Sequence, residues 1–383
     1  LDTWWVHAGD PTGLLTTQTR AGVISCQVDA EAVAHFAANT LPIGFCDKFT
    51  DTNKLGLLCN SEVKNLIANS EDFSVWTGGT VTVVSNDGDS PDKLINADKL
   101  TAGAAAAPKY VNLAADANTQ YTASVWVKRA GVTDVAVTGR LRDQDIGAAS
   151  DVTLAITATS EWRLHQWSYT HGATAVADGR VYLHIDVSGE AIYAWGFQIN
   201  EGDARSSYVR TDGVGRTLGG CNYEALGAPG WFHKGAKGQI DATYVGFHQS
   251  GPIAISYIYE ATETGVNNNR RFLWLNSSGG TPQSYGYDSS GSSFCVESYG
   301  AQDPRASEQV KSFRWDSTGG LAVGAGIDAE TLNEGVSYAT DSGTFTASDS
   351  ADMISIGSAR GVGVTNNFDG FIQRIESFAE EQP

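Results

Sequence analysis

Residues 121–128 read Tyr-Thr-Ala-Ser-Val-Trp-Val-Lys, and residues 181–187 read Val-Tyr-Leu-His-Ile-Asp-Val. Both alternate with period two, as a strand does when one face enters a core and the other turns away from it. In the first run Tyr121, Ala123, Val125 and Val127 share the inner face, leaving Ser124, Trp126 and Lys128 outside. In the second, Val181, Leu183, Ile185 and Val187 point in, and Tyr182, His184 and Asp186 point out. The stretch 135–142 repeats the pattern, with Val135, Val137 and Leu141 inward and Thr138, Arg140 and Arg142 outward. His165, Trp167 and Tyr169 share the inward face of another strand, and Trp195, Phe197 and Ile199 that of the last. Such a series between Asn65 and Val209 specifies a β-sandwich.

The outward set is therefore Trp126, Arg140, Arg142, Tyr182 and His184. Aromatic rings mixed with hydrogen-bonding groups suit a sugar, whose C–H face stacks while its hydroxyls need donors and acceptors. The competing expectation is that a loop or another subunit covers this face.

Outward from this block the rest of the chain is also strand-like. Val, Thr, Tyr, Phe and Trp are frequent, and 43 glycines punctuate short runs, as in sheets joined by turns. Only residues 31–38 read as a short helix. The 383 residues, 41% of them hydrophobic, suffice for more than one core. The expected architecture is all-β: two antiparallel β-sandwich (jelly-roll) domains in tandem behind an irregular N-terminal segment. The boundaries are residues 1–64 for that segment, 65–212 for the first sandwich, 213–230 for a Gly-rich connector and 231–383 for the second sandwich. In the second sandwich the strands expected are 240–245, 254–259, 271–275, 293–298, 311–316, 353–357 and 371–378.

A net charge of −19 argues against a nucleic-acid partner, which is held through clustered Lys and Arg. It also argues against anionic lipid surfaces and strongly anionic polysaccharide, unless a divalent cation mediates. No eighteen-residue apolar run offers a membrane span. Cys26, Cys46, Cys59, Cys221 and Cys295 are odd in number and widely spaced, which fits neither a disulfide scaffold nor a zinc site and suits folding in a reducing cytoplasm. The chain contains no HExxH and no GxSxG, so neither a zinc hydrolase nor a serine nucleophile elbow is indicated. Asp143 with Asp145, and Asp328 with Glu330, have strand-face spacing but read as solvated loop acids rather than a glycosidase pair. The oxygen-rich run 86–92 could hold calcium weakly. No catalytic residue, metal ligand or cofactor is assigned.

Three segments, taken in order, resemble modular structural proteins of tailed bacteriophages. Gly56-Leu57-Leu58 followed by Asn65-Leu66-Ile67-Ala68-Asn69-Ser70-Glu71-Asp72-Phe73 is similar to a lead-in phrase of those proteins. Tyr121–Lys128, the Trp162, Trp167 and Tyr169 strand, and Tyr193–Gly202 followed by Ser207-Tyr208-Val209 resemble a carbohydrate-binding-module-like jelly roll. Residues 356–361 and 368–375 resemble a laminin-G or concanavalin-like sandwich. The resemblance implies a non-enzymatic virion surface protein, such as a tail fibre, receptor-binding protein, or head fibre or decoration subunit. It further implies assembly as a homo-oligomer, a trimer being favoured, contacts with other virion proteins through the N-terminal segment, and binding to host surface glycans. A purely architectural subunit and a capsular polysaccharide depolymerase are the alternatives. Related modules often hold calcium through a carboxylate in the last strand, and Tyr193–Phe197 has none; Asp288, Asn366 and Asp369 are the remaining candidates in the last domain.

Overall fold

The computed structural model describes residues 63–218 throughout apart from Asp145 and residues 174–178, and elsewhere the strands with a few residues near them. Asp145, Asp288, Asp328, Glu330, Asn366 and Asp369 lie outside the described residues. The fold is all-β and antiparallel. Its only helical pieces among the described residues are short 3-10 turns at Phe73–Val75 and Gly147–Ser150.

The chain divides into two units. One comprises Val23–Phe36 and Val63–Leu218, the other Leu1–Gly22, Ala37–Glu62 and Gly219–Pro383. Residues 1–64 thus contribute to both. In the first unit the strands are β1 (Ile24–Gln27), β2 (Val33–Phe36), β3 (Val63–Asn65), β4 (Val81–Asp89), β5 (Ile95–Ala102), β6 (Ala107–Leu113), β7 (Gln120–Arg129), β8 (Val135–Asp143), β9 (Val152–Ala158), β10 (Arg163–Thr170), β11 (Gly179–Ile185), β12 (Ala191–Glu201) and β13 (Arg216–Leu218). A four-stranded sheet runs β6-β11-β8-β9, and a five-stranded sheet runs β10-β7-β12-β5-β4. Two small ladders, β1 with β2 and β3 with β13, complete it.

The inward residues of the two large sheets form one apolar core. Tyr121, Val125 and Val127 of β7 meet Val135, Val137 and Leu141 of β8, Val181, Leu183 and Ile185 of β11, and Phe197 and Ile199 of β12. Each large side chain buried in this way contributes about 1.5–3 kcal/mol relative to exposure. Gly139 sits opposite Trp167, where an added Cβ would come within 2.9 Å of the indole, so the missing side chain makes room for the ring. Val187, expected inside, is 48% exposed because β11 ends at Ile185.

One local irregularity redirects a side chain. Ser124 and Trp126 on β7 face Gln198 and Trp195 on β12, so β12 carries one extra residue there. Gly196, at φ +63°, absorbs the bulge, since a glycine adopts this left-handed conformation without strain. Phe197 and Ile199 remain in the core, but Trp195 emerges on the opposite face beside Trp126. The expected sharing of one face by Trp195, Phe197 and Ile199 is thereby corrected.

Residues 31–38, read from sequence as helix, instead hold β2. Asp29 accepts the Glu31 amide at 2.7 Å and Val28 donates to Ala32 at 2.9 Å, a turn that hands the chain directly into the ladder with β1. Pairing with β1 overrides a weak helical preference.

The closure of the unit rests on Asn65, which has no exposed surface. Its amide nitrogen donates to Phe197 O (3.2 Å) and Val209 O (2.8 Å), and its oxygen accepts from Ile67 N (3.1 Å) and Ile199 N (3.2 Å). Ser70 continues the seam, exchanging hydrogen bonds with Tyr208 and Thr211.

The second unit has an eight-stranded sheet, in which Lys237–Gly246 and Gly370–Phe378 are central, and a seven-stranded sheet that includes Ile255–Thr262 and Met353–Ile356. Each strand expected after residue 240 is present; Pro282–Tyr287, Gly320–Gly326 and Ala339–Asp341 are additional. Tyr244 is buried edge-on against Phe368, with ring centroids 5.5 Å apart. The span 213–230, expected as a connector, contains β13 and the strand Asn222–Leu226.

Replacing Asn65 with Leu deprives two carbonyls and two amides of their partner at once. We expect Asn65→Leu to lose about 3–5 kcal/mol of unfolding free energy in urea titrations; retention of wild-type stability would contradict the seam.

Candidate functional site

The five outward residues separate onto two sheets. Trp126 belongs to the five-stranded sheet, whereas Arg140, Arg142, Tyr182 and His184 belong to the four-stranded one.

Trp126 is only 2% exposed. It joins Val33, Ala97, Trp162, Trp195 and Tyr208 in a second apolar cluster on the outer face of its sheet. The cover is the β1–β2 hairpin of the same chain. Val33 N donates to Pro91 O at 3.0 Å, His35 Nε2 meets Asp92 Oδ2 at 2.9 Å, and Arg205 Nη2 donates to Gln27 Oε1 at 3.1 Å. The expectation that Trp126 stands on an open binding face is corrected: the outer row of this sheet is a core in its own right.

The outer face of the four-stranded sheet has different chemistry. Cross-strand register puts Tyr182 on β11 between Tyr110 on β6 and Arg140 on β8. The Arg140 guanidinium lies 3.8 Å from the Tyr182 ring centroid, and the Tyr110 ring centroid lies 5.2 Å away. His184 stacks on Tyr182 at 5.4 Å, with 22° between planes. Arg180 stands 5.0 Å from the Tyr110 ring. Tyr182 is thus buried beneath its neighbours, and the face presents guanidinium groups rather than a bare ring.

Asp151 anchors the arginines. Arg142 Nε and Nη2 donate to its two oxygens at 2.5 and 2.6 Å, and Arg140 Nη1 lies 3.6 Å away. The Arg142 hydrogen bonds, working against burial, hold the Asp151 carboxyl below its ordinary value. Gln144 Nε2 donates to Tyr182 OH at 3.1 Å, and Arg180 Nε donates to Asn112 Oδ1 at 2.9 Å.

Two buried polar atoms on this face have no hydrogen-bond partner in the protein: Arg140 Nε and His184 Nε2. Burial chiefly, aided by the charge of Arg140, lowers the His184 pKa below its usual 6.5 despite the opposing Ala106 carbonyl. At neutral pH the ring is therefore uncharged. With Nδ1–H directed to Ala106 O at 3.3 Å, Nε2 keeps a lone pair and accepts. Arg140 Nε–H can only donate. One donor and one acceptor thus lie unmet just beneath the surface around Tyr182.

Tyr110, Asn112, Gln144, Asp151 and Arg180 were absent from the sequence-derived set. Arg180 could have been found by extending the Tyr182–His184 alternation one step back, and Tyr110 by the same period in β6. Asp151 could not, because its approach depends on the turn between β8 and β9.

The acidic run at 86–92 is already occupied by protein donors. Asp89 meets Lys128 at 3.3 Å, Asp87 accepts from Tyr193 at 3.3 Å, and Asp92 is bonded by His35, Ser90, Leu94 and Asn96. Asp143, expected to be a solvated loop acid, is instead buried, 3.6 Å from His171 and bonded to the Gly172 amide at 3.2 Å. Among the described residues no group of three His, Cys, Asp or Glu side chains could hold a metal ion. No described helix is long and apolar enough to cross a membrane.

No family model matches the chain, and no curated protein does. Solved structures with partial likeness include carbohydrate-binding modules. The CBM40 of Ruminococcus gnavus IT-sialidase, bound to α2,3-sialyllactose, is 15% identical over 39% of this chain and 78% of its own, with a TM-score of 0.31. A family 16 carbohydrate-binding module is 22% identical over 35% of this chain and 96% of its own, at 0.26. The tandem CBM22-1–CBM22-2 of Paenibacillus barcinonensis Xyn10C is 14% identical over 84% of this chain and 98% of its own, at 0.29. Likeness at this level transfers no function.

Two outcomes follow from the covered face. Trp126→Ala should cost about 3–5 kcal/mol of stability, since it empties a buried site, as read by urea unfolding; an unchanged midpoint would mean that the indole is not packed. Asp92 supplies a pH signature. Burial alone would raise its pKa, but hydrogen bonds from His35, Ser90, Leu94 and Asn96 prevail and hold it at about 2 against an ordinary 3.8. Because the folded value is the lower, its stabilisation is complete above the ordinary value and is lost as pH falls toward the folded one. The wild type should lose about 2 kcal/mol more than Asp92→Asn between pH of about 4 and about 2. Parallel acid-stability curves for the two proteins would refute the pairing.

Proposed function

We propose that this protein is a non-catalytic glycan-binding protein that uses the outer face of its four-stranded sheet. The observation that carries this reading is the pair of unmet polar atoms, Arg140 Nε and His184 Nε2, set around Tyr182. A hydroxyl both donates and accepts, so sugar hydroxyls can meet each of these atoms once the side chains covering them turn aside. The surrounding guanidiniums and the Gln144 side chain add donors that a polyol can use. Stacking on Tyr182 plays little part, because Arg140 and His184 already cover that ring. Single-site affinity on such a face is weak, and useful attachment needs several copies. Display as a homo-oligomer, a trimer being favoured, on the surface of a phage particle supplies those copies. This setting rests on the sequence phrases around Gly56–Leu58, Asn65–Phe73 and Tyr193–Gly202, as does the assignment of host surface glycans as ligands. Burial of Trp126 within its own chain removes the need for a neighbouring subunit to cover it, the main structural argument for a purely architectural role.

Glycan-array binding by the purified chain tests the reading. Arg140→Met and His184→Phe should each weaken binding about tenfold, the effect of removing one hydrogen bond to a buried partner. Trp126→Phe, on the other sheet, should leave it unchanged. His184 loses its acceptor when protonated, so affinity should stay constant above pH 6.5 and decline below it. Wild-type binding by both Arg140→Met and His184→Phe would remove the site.

A further inference from the structure

Building on the glycan reading, we infer that the sugar bound at this face carries a carboxylate, as a uronic or nonulosonic acid unit does. The argument begins with charge on the sheet. Arg142 on β8 stands directly opposite Arg180 on β11, and like charges at facing positions repel. Asp151 neutralises the Arg142 side of that pair with two hydrogen bonds. Nothing equivalent serves Arg180: its side chain bonds the neutral Asn112 and forms no ion pair among the described residues. Along the same face Arg140, Arg142 and Arg180 are set against Asp151 and Asp186, and Asp186 is engaged by Thr138 at 2.9 Å. His184 adds no charge at neutral pH. Among the described residues one arginine charge is left over.

That surplus is local. The −19 net charge of the chain disfavours anionic polymers at long range, but screening confines each surface charge to about 8–10 Å at physiological salt. Within that radius the outer face of the four-stranded sheet is cationic. A single carboxylate matches the single uncompensated guanidinium and can meet its fork through two parallel hydrogen bonds. The hydroxyls of the neighbouring sugar units would then lie over Arg140 and His184. Position along β11 supports one ligand for both: Arg180 and His184 flank Tyr182 on the same side of the strand, about 13 Å apart by strand rise, a span that suits two or three sugar rings.

The test uses the full chain and four probes, polygalacturonate, alginate, hyaluronan and polysialic acid, each native and carboxyl-reduced, with binding followed by affinity electrophoresis and calorimetry. At least one native polymer should bind and lose about tenfold or more in affinity on carboxyl reduction. Raising NaCl from about 20 to about 200 mM should weaken the native complex and spare the reduced one. Arg180→Gln should lower affinity for the native polymer only, and Arg180→Lys should restore part of it. Both variants should keep a urea midpoint close to that of the wild type, since Arg180 lies on the outer face and gives up only its Asn112 hydrogen bond and Tyr110 contact. Equal binding of native and reduced polymers overturns the acidic class and leaves the glycan reading standing. Failure of every native polymer, with neutral glycans still bound, does the same. Failure of acidic and neutral glycans alike overturns both.

Discussion

A fully buried asparagine that uses all its hydrogen-bonding capacity holds the first unit together. Asn65 joins the entry of the chain at Ile67, the last long strand at Phe197 and Ile199, and the exit at Val209. Every one of these atoms is backbone, and leaving such a buried group without its partner costs more than a typical hydrogen bond gains. The sandwich therefore closes in one register. Ser70, Tyr208 and Thr211 extend the same seam, and Glu71 lies beside it, its carboxyl raised by burial though opposed by Arg210 and Tyr208. With this edge fixed, both sheet faces are fixed too.

The bulge at Gly196 then decides what the faces do. Without the extra residue, Trp195 would continue the alternation of Phe197 and Ile199 into the sandwich core. With it, Trp195 joins Trp126, Trp162 and Tyr208 on the outer side, creating an apolar surface that gains stability when it is covered. The β1–β2 hairpin covers it. One face of the sandwich is thereby covered by its own chain, and the outer face of the other sheet keeps its polar and charged side chains.

On that other face, charge is arranged in pairs whose accounts do not balance. Asp151 serves two arginines, Arg180 has only a neutral partner, and Arg140 and His184 each keep one polar atom unmet. Unpartnered polar atoms also occur elsewhere in the described residues, at Trp162, Trp167 and Trp195 among others; what sets this face apart is that two of them lie beside an uncompensated guanidinium. The overall acidity of the chain conceals this, because net charge sums over a surface that salt divides into independent patches.

Period-two alternation was sufficient to establish the all-β class, the inward residues of β7, β8 and β11, and the outward placement of Arg140, Arg142, Tyr182 and His184. These follow from the strand repeat alone, which needs no knowledge of neighbours. Strand pairing is another matter. That Trp126 and Arg140 lie on different sheets, that Tyr110 and Arg180 flank Tyr182, and that Asp151 reaches Arg142 all depend on which strands become adjacent. The helix-like stretch at 31–38 became a strand because β1 was there to pair with it. Trp126 drew attention as an aromatic on an outward row; only the tertiary structure could show the row roofed by a hairpin distant in sequence, since burial is a property of contacts and not of spacing.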